Sequence, residues 1–442
     1  MRVLSVGGGG REHAIVMALA EGDTEVYAAM GNKNPGIARA SRAFKLVKET
    51  DIDNVVRFAV DSAVEMAVIG PEAPLEIGLV DALVREGIGC VGPSKSAARI
   101  ETSKAFMRGI MSKFNVPGNI EFSTFHEFEP AKKYALDSEN ELAVKPIGLT
   151  GGKGVKIQGE HLRDKKEVID YVREIFDNKI GGGGVVLEER LEGEELTLQA
   201  FCDGRTVVPM PLVQDHKRAF DGDKGPNTGG MGSYSMEDHI LPFMTRNEFD
   251  QTMEIMKKMV EAMAKEGCAY VGILYGQFML TRHGPKVIEF NARFGDPEAM
   301  NVLPLLRSDF AETCADIVSG KLSPSRVSFE RKATVCKYVV PEGYGIKSKS
   351  GHEIKVEESG IQKEGAHVFY ANVNEEHGKI LTTSSRSIAV VGLEDTVDKA
   401  EEVCERGLKH ISGEAIYVRH DVGKRELIQR RIDHMRTVRG AG

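Results

Sequence analysis

Tryptophan is missing from the 442 residues, aromatic side chains make up only 6%, and the six cysteines (Cys90, Cys202, Cys268, Cys314, Cys336 and Cys404) stand far apart. Scattered thiols with no close pair argue against a disulfide framework or a zinc knuckle and fit a reducing compartment. No apolar run approaches the roughly 18 residues that cross a bilayer, and glycines interrupt the opening Met1 to Val6. A cytoplasmic protein with no membrane attachment is therefore expected. An excess of basic charge is also lacking. The 58 Lys and Arg against 66 Asp and Glu leave a net charge of −8, which argues against general binding to nucleic acid or anionic lipid. Any anionic ligand has to be captured locally. There is no repeat or low-complexity tract, and no feature marks an obligate protein partner.

The chain is long enough for about three domains of roughly 150 residues each. Over the first hundred residues, strand-like runs (3–6, 26–29, 44–47, 66–69 and 88–91) alternate with helical patterns such as 12–20 and 52–60. That pattern predicts a parallel, doubly wound α/β domain ending near Ser103. After Pro117 the texture changes to a small α+β module. Helices are expected near 131–136 and over 165–176, and strands over 141–147, 155–158 and 185–189, joined by glycine tracts that favour a mobile lid. Strands around 196–201 and 207–213, a long loop over 214–234 and an amphipathic helix over 247–265 follow. From about residue 325 alternating strands return (334–340, 367–371, 388–391), with a helix near 396–410.

Three stretches suggest chemistry. Gly7-Gly8-Gly9-Gly10-Arg11-Glu12 follows the first strand and opens a helix, where backbone N–H groups and the helix dipole favour a phosphate. Position 12 is Glu where a dinucleotide fingerprint has its third glycine, and no acid ends the second strand. A phosphorylated small molecule is therefore preferred to NAD, with a ligand-free tight turn as the alternative. Arg11 suits a phosphate clamp or a solvated first turn. Next, Gly148-Leu149-Thr150-Gly151-Gly152-Lys153-Gly154 joins two strands, the first carrying Lys145. It is not a Walker A loop, but a flexible glycine cover beside a strand-borne lysine makes a sensible ATP cradle.

The third is a hairpin centred on His283, which sets Gln277 opposite Glu289 and places Glu289, Asn291 and Arg293 on the face of Gln277. The other face then collects Gly276, Phe278, Leu280, Ile288, Phe290, Ala292 and Phe294 as core. One carboxylate with amides and a guanidinium suits Mg²⁺ bound together with phosphate oxygens. A solvated polar sheet face is the plain alternative. Read alone, Glu188 to Glu195 is an acidic turn.

Taken together, GGGGREHA at 7–14, GPEAPL at 70–75, SKAF at 103–106, GGKGV at 151–155, DHKRAFDGDKGPNTGGMGSYS at 215–235 and KVIEFNARFGDP at 286–297 resemble one family in its own order. It is the phosphoribosylamine–glycine ligases (glycinamide ribonucleotide synthetases) of the ATP-grasp superfamily. The resemblance implies a Rossmann-like N-terminal domain (1–103), an ATP-grasp domain (104–325) with a hinged lid over about 120–190, and a small C-terminal α/β domain (326–442). It implies joining of glycine to 5-phosphoribosylamine through glycyl phosphate, with ATP and Mg²⁺ or Mn²⁺ as cofactors. Residue by residue, it implies that Lys104, Lys145 and the loop Gly151, Gly152, Lys153 and Gly154 hold ATP phosphates, that Glu188 and Leu191 meet adenine, and that Glu195 meets ribose. Gln277, Glu289 and Asn291 are implied as metal ligands, and Arg293, Lys145 and Asp215 as catalytic groups. Gly9, Gly10, Arg11 and Glu72 are implied to take phosphoribosylamine, and Lys217, Gly229, Gly230, Met231 and Gly232, with Arg293, to gather glycine and the acyl phosphate.

The chain departs from the commoner pattern before Gly151, at Gln277 where many relatives have a small residue, and at Glu298-Ala299-Met300. Another ATP-grasp carboxylate–amine ligase or carboxylase is the alternative reading. A dehydrogenase and a non-catalytic nucleotide sensor fit the residues less well. Replacing Arg293 by Ala is expected to slow turnover with little loss of stability.

Overall fold

Strands β1 (Arg2–Val6), β2 (Glu25–Met30), β3 (Ala43–Leu46), β4 (Met66–Ile69) and β5 (Gly89–Val91) form a parallel sheet in the order β3-β2-β1-β4-β5. Val3, Leu4, Val6, Ala67 and Val68 are buried on both faces, so these strands read as continuous apolar runs rather than alternating ones. The strand order reverses between β1 and β4. The crevice at their carboxyl ends is where such sheets bind ligands, and it receives both Gly7 to Gly10 and the helix Glu72–Ile77. In this computed structural model residues 1–149 and 154–440 are described.

The next module is an antiparallel sheet of β6 (Phe122–Phe125), β7 (Leu142–Pro146), β8 (Lys156–Ile157) and β9 (Val185–Glu189), in the order β6-β9-β7-β8, under helices Phe128–Asp137 and Lys165–Asp177. It has a core of its own, built from Ala131, Val144, Val168, Val172, Ile175 and Leu187. A separate core lets such a unit keep its packing while its linkers bend.

The central sheet runs β11 (Val207–Pro209), β10 (Glu194–Asp203), β16 (Val271–Thr281), β17 (Gly284–Asn291). Helix Arg246–Lys265 packs behind it and is opened by a capping box between Thr245 and Glu248. Two expectations change here. The strand expected to continue to Val213 stops at Pro209, since Pro209 and Pro211 offer no N–H to a ladder. The expected loop 214–234 is instead folded into β12 (Gln214–Asp215), a hairpin of β13 (Arg218–Phe220) and β14 (Lys224–Asn227), and β15 (Gly232–Ser235). β12 and β15 extend the sheet of the C-terminal part, through β18 (Ala333–Pro341), β23 (Ile388–Glu394) and β20 (His367–Tyr370). A second small sheet there contains β19 (Glu353–Val356), β21 (Val373–Glu376), β22 (Lys379–Thr382) and β24 (Ile411–Gly413), while β25 (Ile416–Val418) pairs with β18. The chain closes with helix Arg425–Val438. Among the described residues no helix is long and apolar enough to cross a membrane.

The β16–β17 hairpin corrects the expected turn while keeping its key pair. The turn is Arg282-His283, closed by Thr281 opposite Gly284, and Phe278 lies opposite Val287. That register alone would set Gln277 against Ile288. A bulge at Ile288 advances it by one residue and brings Glu289 opposite Gln277. Ile288 thereby leaves the core face, where Val287 is fully buried in its place. The Ile288 carbonyl, released from the ladder, accepts from Lys145 Nζ (3.2 Å) and Arg108 Nη2 (3.3 Å).

Candidate active site

Cross-strand pairing puts two polar rows on one face of the central sheet: Thr197, Gln277 and Glu289, then Gln199, Tyr275 and Asn291. The opposite face buries Leu196, Leu198, Phe278 and Phe290. A Cβ at Gly276 would come within 2.8 Å of the Met256 sulfur on the helix behind, so this strand lies close against its support. Asn291 Nδ2 donates to Glu289 Oε1 at 3.5 Å, and Gln277 Nε2 donates to Glu195 Oε2 at 2.5 Å. With its amide nitrogen so engaged, Gln277 has only its oxygen to offer a cation. Among the described residues no three His, Cys, Asp or Glu side chains converge as a metal cage. One carboxylate with two amide oxygens instead fits a hard cation that takes its remaining ligands from phosphate and water.

Opposite this face stands Lys145 on β7. Its Nζ lies 2.6 Å from Glu188, which also binds Arg108 at 2.8 and 3.1 Å. Burial works against the Glu188 charge, but Arg108 and then Lys145 outweigh it and hold the carboxyl down at about 2. The Glu188 side chain thus aims Lys145, so only its backbone and that of the Glu189 to Gly193 connector, including half-buried Leu191, are left for a nucleotide edge. Lys104, opening the helix Lys104–Lys113, donates to the Gly148 carbonyl at 3.3 Å, and burial lowers its pKa. The Gly154 carbonyl accepts from Tyr171 at 2.6 Å. Gly151, Gly152 and Lys153 lie outside the described residues.

Beyond β17 the chain turns Arg293 toward the N-terminal domain. Its Nη2 is 2.8 Å from Glu101 Oε1, and its Nε is 3.3 Å from Glu72 Oε2. Burial raises the Glu101 carboxyl, while at Glu72 Arg293 and Arg11 overcome burial and lower it. Glu101 escaped the sequence reading. Its signal was an acid one turn after Ala97 on the buried side of helix Lys95–Thr102.

Gly9 is the N-cap of helix Gly10–Ala20, and its N–H donates to Glu12 Oε2 at 2.8 Å. Glu12, buried where a dinucleotide fold keeps glycine, fills the space beside Gly7 and Gly70, at each of which a Cβ would fall within 2.5 Å of it. Arg11 is not extended into solvent. Its Nε reaches Glu12 Oε1 (2.6 Å) and its Nη1 donates to the Phe294 carbonyl (3.2 Å). The glycine turn, Arg11, Glu72 and Arg293 are therefore brought to one crevice.

Lys217 sits 2.8 Å from Glu195 Oε2, next to Gln277. Glu195 is thus joined to both Gln277 and Lys217, contacts that the expectation of a ribose partner did not include. Asp215 Oδ1 is buried with no hydrogen-bond partner, and burial, then Glu298, pushes its carboxyl well up. Arg386, also unforeseen, donates to the carbonyls of Gly229, Gly230 (3.4 Å) and Asp296 (2.8 Å) and pairs with the Asp296 carboxylate at 3.2 Å. Met231 is buried, and its backbone pairs with His216 and Tyr338. A Cβ at Gly232 would lie 2.3 Å from the Cys336 carbonyl oxygen, so a bare backbone is required there.

Residues 1–101 match the N domain of phosphoribosylglycinamide synthetase, residues 102–299 its ATP-grasp (A) domain and residues 334–425 its C domain. The chain is 54% identical to the phosphoribosylamine–glycine ligase of Methanoregula boonei, over 99% of this chain and 100% of that protein. It is 53% identical to the one from Methanothermobacter thermautotrophicus, again over 99% and 100%. The crystal structure of phosphoribosylamine–glycine ligase from Thermotoga maritima superposes with a TM-score of 0.82 at 28% identity, covering 95% of this chain and 100% of that one. Its three matched domains and its full-length likeness place the chain in one lineage: it belongs to the phosphoribosylglycinamide synthetase family, which is built around an ATP-grasp domain.

Proposed function

We propose that this protein joins glycine to 5-phosphoribosylamine at the expense of ATP, forming glycinamide ribonucleotide, ADP and phosphate in purine synthesis. The observation that carries the reading is the convergence of three parts: the Gln277–Glu289–Asn291 face, Lys145 facing it from the lid sheet, and Arg293 reaching Glu72 and Glu101 of the N-terminal domain.

A carboxylate is a poor acyl donor to an amine, so glycine is first activated as glycyl phosphate by attack of its carboxylate on the γ-phosphate. Lys104 and Lys145 hold the phosphates as point charges. Arg293, aimed by Glu101, offsets charge building on the transferred phosphoryl group. Glu289, with the amide oxygens of Asn291 and Gln277, would hold Mg²⁺ or Mn²⁺, which would neutralise phosphate charge when bound. Lys217 and the backbone of Gly229 to Gly232 receive glycine. Asp215, its carboxyl raised by burial, stands by the glycine amine. Gly9, Gly10, Arg11 and Glu72 seat phosphoribosylamine, whose amine displaces phosphate. The chain works as three parts, 1–103, 104–325 and 326–442. A cytoplasmic site of action accords with six cysteines that are all free and buried.

The test is a phosphate-release assay with ATP, Mg²⁺, glycine and freshly generated phosphoribosylamine, omitting each in turn. Release only in the complete mixture supports the reading, and release indifferent to phosphoribosylamine overturns it.

A further inference from the structure

The hairpin β13–β14 leaves the substrate segment between Lys217 and Thr228, and its far tip, Asp221 to Asp223, is held by groups from the end of the chain. Asp223, with a left-handed φ of 58°, pairs with Arg431, with Arg419 Nη2 at 3.0 Å and with His216 at 3.5 Å. The Gly222 N–H donates to Asp421 at 2.7 Å. Arg431 has a second counter-charge: its Nε lies 3.5 Å from Glu194, an ion pair without a hydrogen bond, and this buried carboxylate also meets His434 at 2.6 Å and Gln214 at 3.4 Å. Glu194 immediately precedes Glu195, which contacts both Lys217 and Gln277.

One guanidinium therefore ties the hairpin tip to the strand that carries the cation row. The helix bearing it does not need that contact in order to dock. Leu427, Ile428 and Met435 are buried, and Arg439 binds Glu248 at 2.8 Å and the Phe243 carbonyl at 3.0 Å. At the opposite end of the segment, Arg386 holds the Gly229 and Gly230 carbonyls.

We infer that Arg431 is a positioning residue for the substrate hairpin: by joining Asp223 to Glu194 it sets Lys217 and the Gly229 to Gly232 backbone against the site where the carboxylate substrate sits. This rests on the reading of residues 215–235 as the glycine-gathering segment. Arg suits the task because its delocalised charge donates to Asp223 from one edge while facing Glu194 from another, which a lysine ammonium does less well.

The test uses the full-length protein. In Arg431→Met the KM for glycine rises about tenfold while the KM for ATP stays within about twofold, because Lys104 and Lys145 are held by the Gly148 and Ile288 carbonyls and by Glu188 rather than by the hairpin. Arg431→Lys falls between. Asp223→Asn reproduces the effect, and the double variant is no worse than the more severe single one, since both act through one contact. Hydrogen exchange over 216–228 accelerates in Arg431→Met while helix 425–438 stays protected. An unchanged glycine KM, or glycine and ATP KM values that rise together while the melting midpoint falls, overturns the inference. Exchange judges the hairpin without reference to substrate: unaltered protection over 216–228 overturns the positioning role, whereas wild-type protein lacking glycine-dependent ADP release sinks the functional reading instead.

Discussion

Glu101 holds Arg293 and the peptide beside it with the two oxygens of one carboxylate. Oε1 lies 2.8 Å from Arg293 Nη2, and Oε2 accepts the Ala292 N–H at 2.7 Å. The arginine that leaves the end of the central hairpin is thus aimed from the N-terminal domain, and the strand end is pinned by the same group.

Glu101→Gln keeps an acceptor for Ala292 but loses the charge that orients Arg293. Turnover is expected to fall about tenfold with little change in the KM for ATP, as when an interaction made in the transition state is weakened. Steady-state phosphate release at saturating substrates checks this.

Arg293→Ala loses more than activity. The expectation that stability barely changes is revised, because the change strips buried Glu101 of its ion-pair partner beside Glu72. The cost at neutral pH is about 3–5 kcal/mol, typical of a broken buried pair. Glu101 already titrates high through burial. A group whose folded pKa is raised regains stability as pH falls, so the deficit shrinks in acid. Denaturant unfolding at neutral and acidic pH reads both effects.

Gln277→Ala removes one amide oxygen from the cation row and the hydrogen bond to Glu195. The Mg²⁺ concentration for half-maximal ADP release should rise several-fold, whereas Glu289→Ala, which removes the row's only carboxylate, should abolish turnover. Metal titration of the two variants distinguishes them.

The Lys145–Glu188–Arg108 triad predicts an acid limb in stability. Glu188 is depressed to about 2 from 4.5, so its contribution is complete above pH 4.5 and drains away as pH falls toward 2. The depression is worth about 3 kcal/mol. Glu188→Gln should be less stable at neutral pH and show a flatter decline over that window in unfolding experiments.

Gly230 has φ +111°, and a Cβ there would approach Asp215 Oδ1 to 2.7 Å and Pro297 Cδ to 2.8 Å. Gly230→Ala should therefore strain the segment by about 1–3 kcal/mol. A raised KM for glycine with the ATP KM retained is the expected kinetic signature.

Much of this architecture was legible in the residues. Apolar runs without alternation mark the buried parallel strands β1 to β5, and period-two alternation marks the central hairpin. The opposition of Gln277 and Glu289 could be read from spacing, although the expected turn was one residue off and the bulge at Ile288 restored the pair. A bulge has no strong local signature, because it is set by what packs behind the strand and what binds the freed carbonyl. Segment 214–234 read as loop because its strands are only two to four residues long, too short to show a period, and β15 is fixed by pairing with distant β18.

The local pattern of apolar, glycine and charged residues was enough to read the order of domains, the two glycine-rich turns and the polar face of the hairpin, since each depends on neighbours within a few residues. Tertiary structure alone decided that Glu188 pairs with Lys145, that Glu101 pairs with Arg293, and that Arg386 and Arg431 grip Gly229, Gly230 and Asp223 from the C-terminal part of the chain. The reason is that a buried charge is tolerable only beside its counter-charge, and which counter-charge arrives is settled by folding rather than by sequence distance.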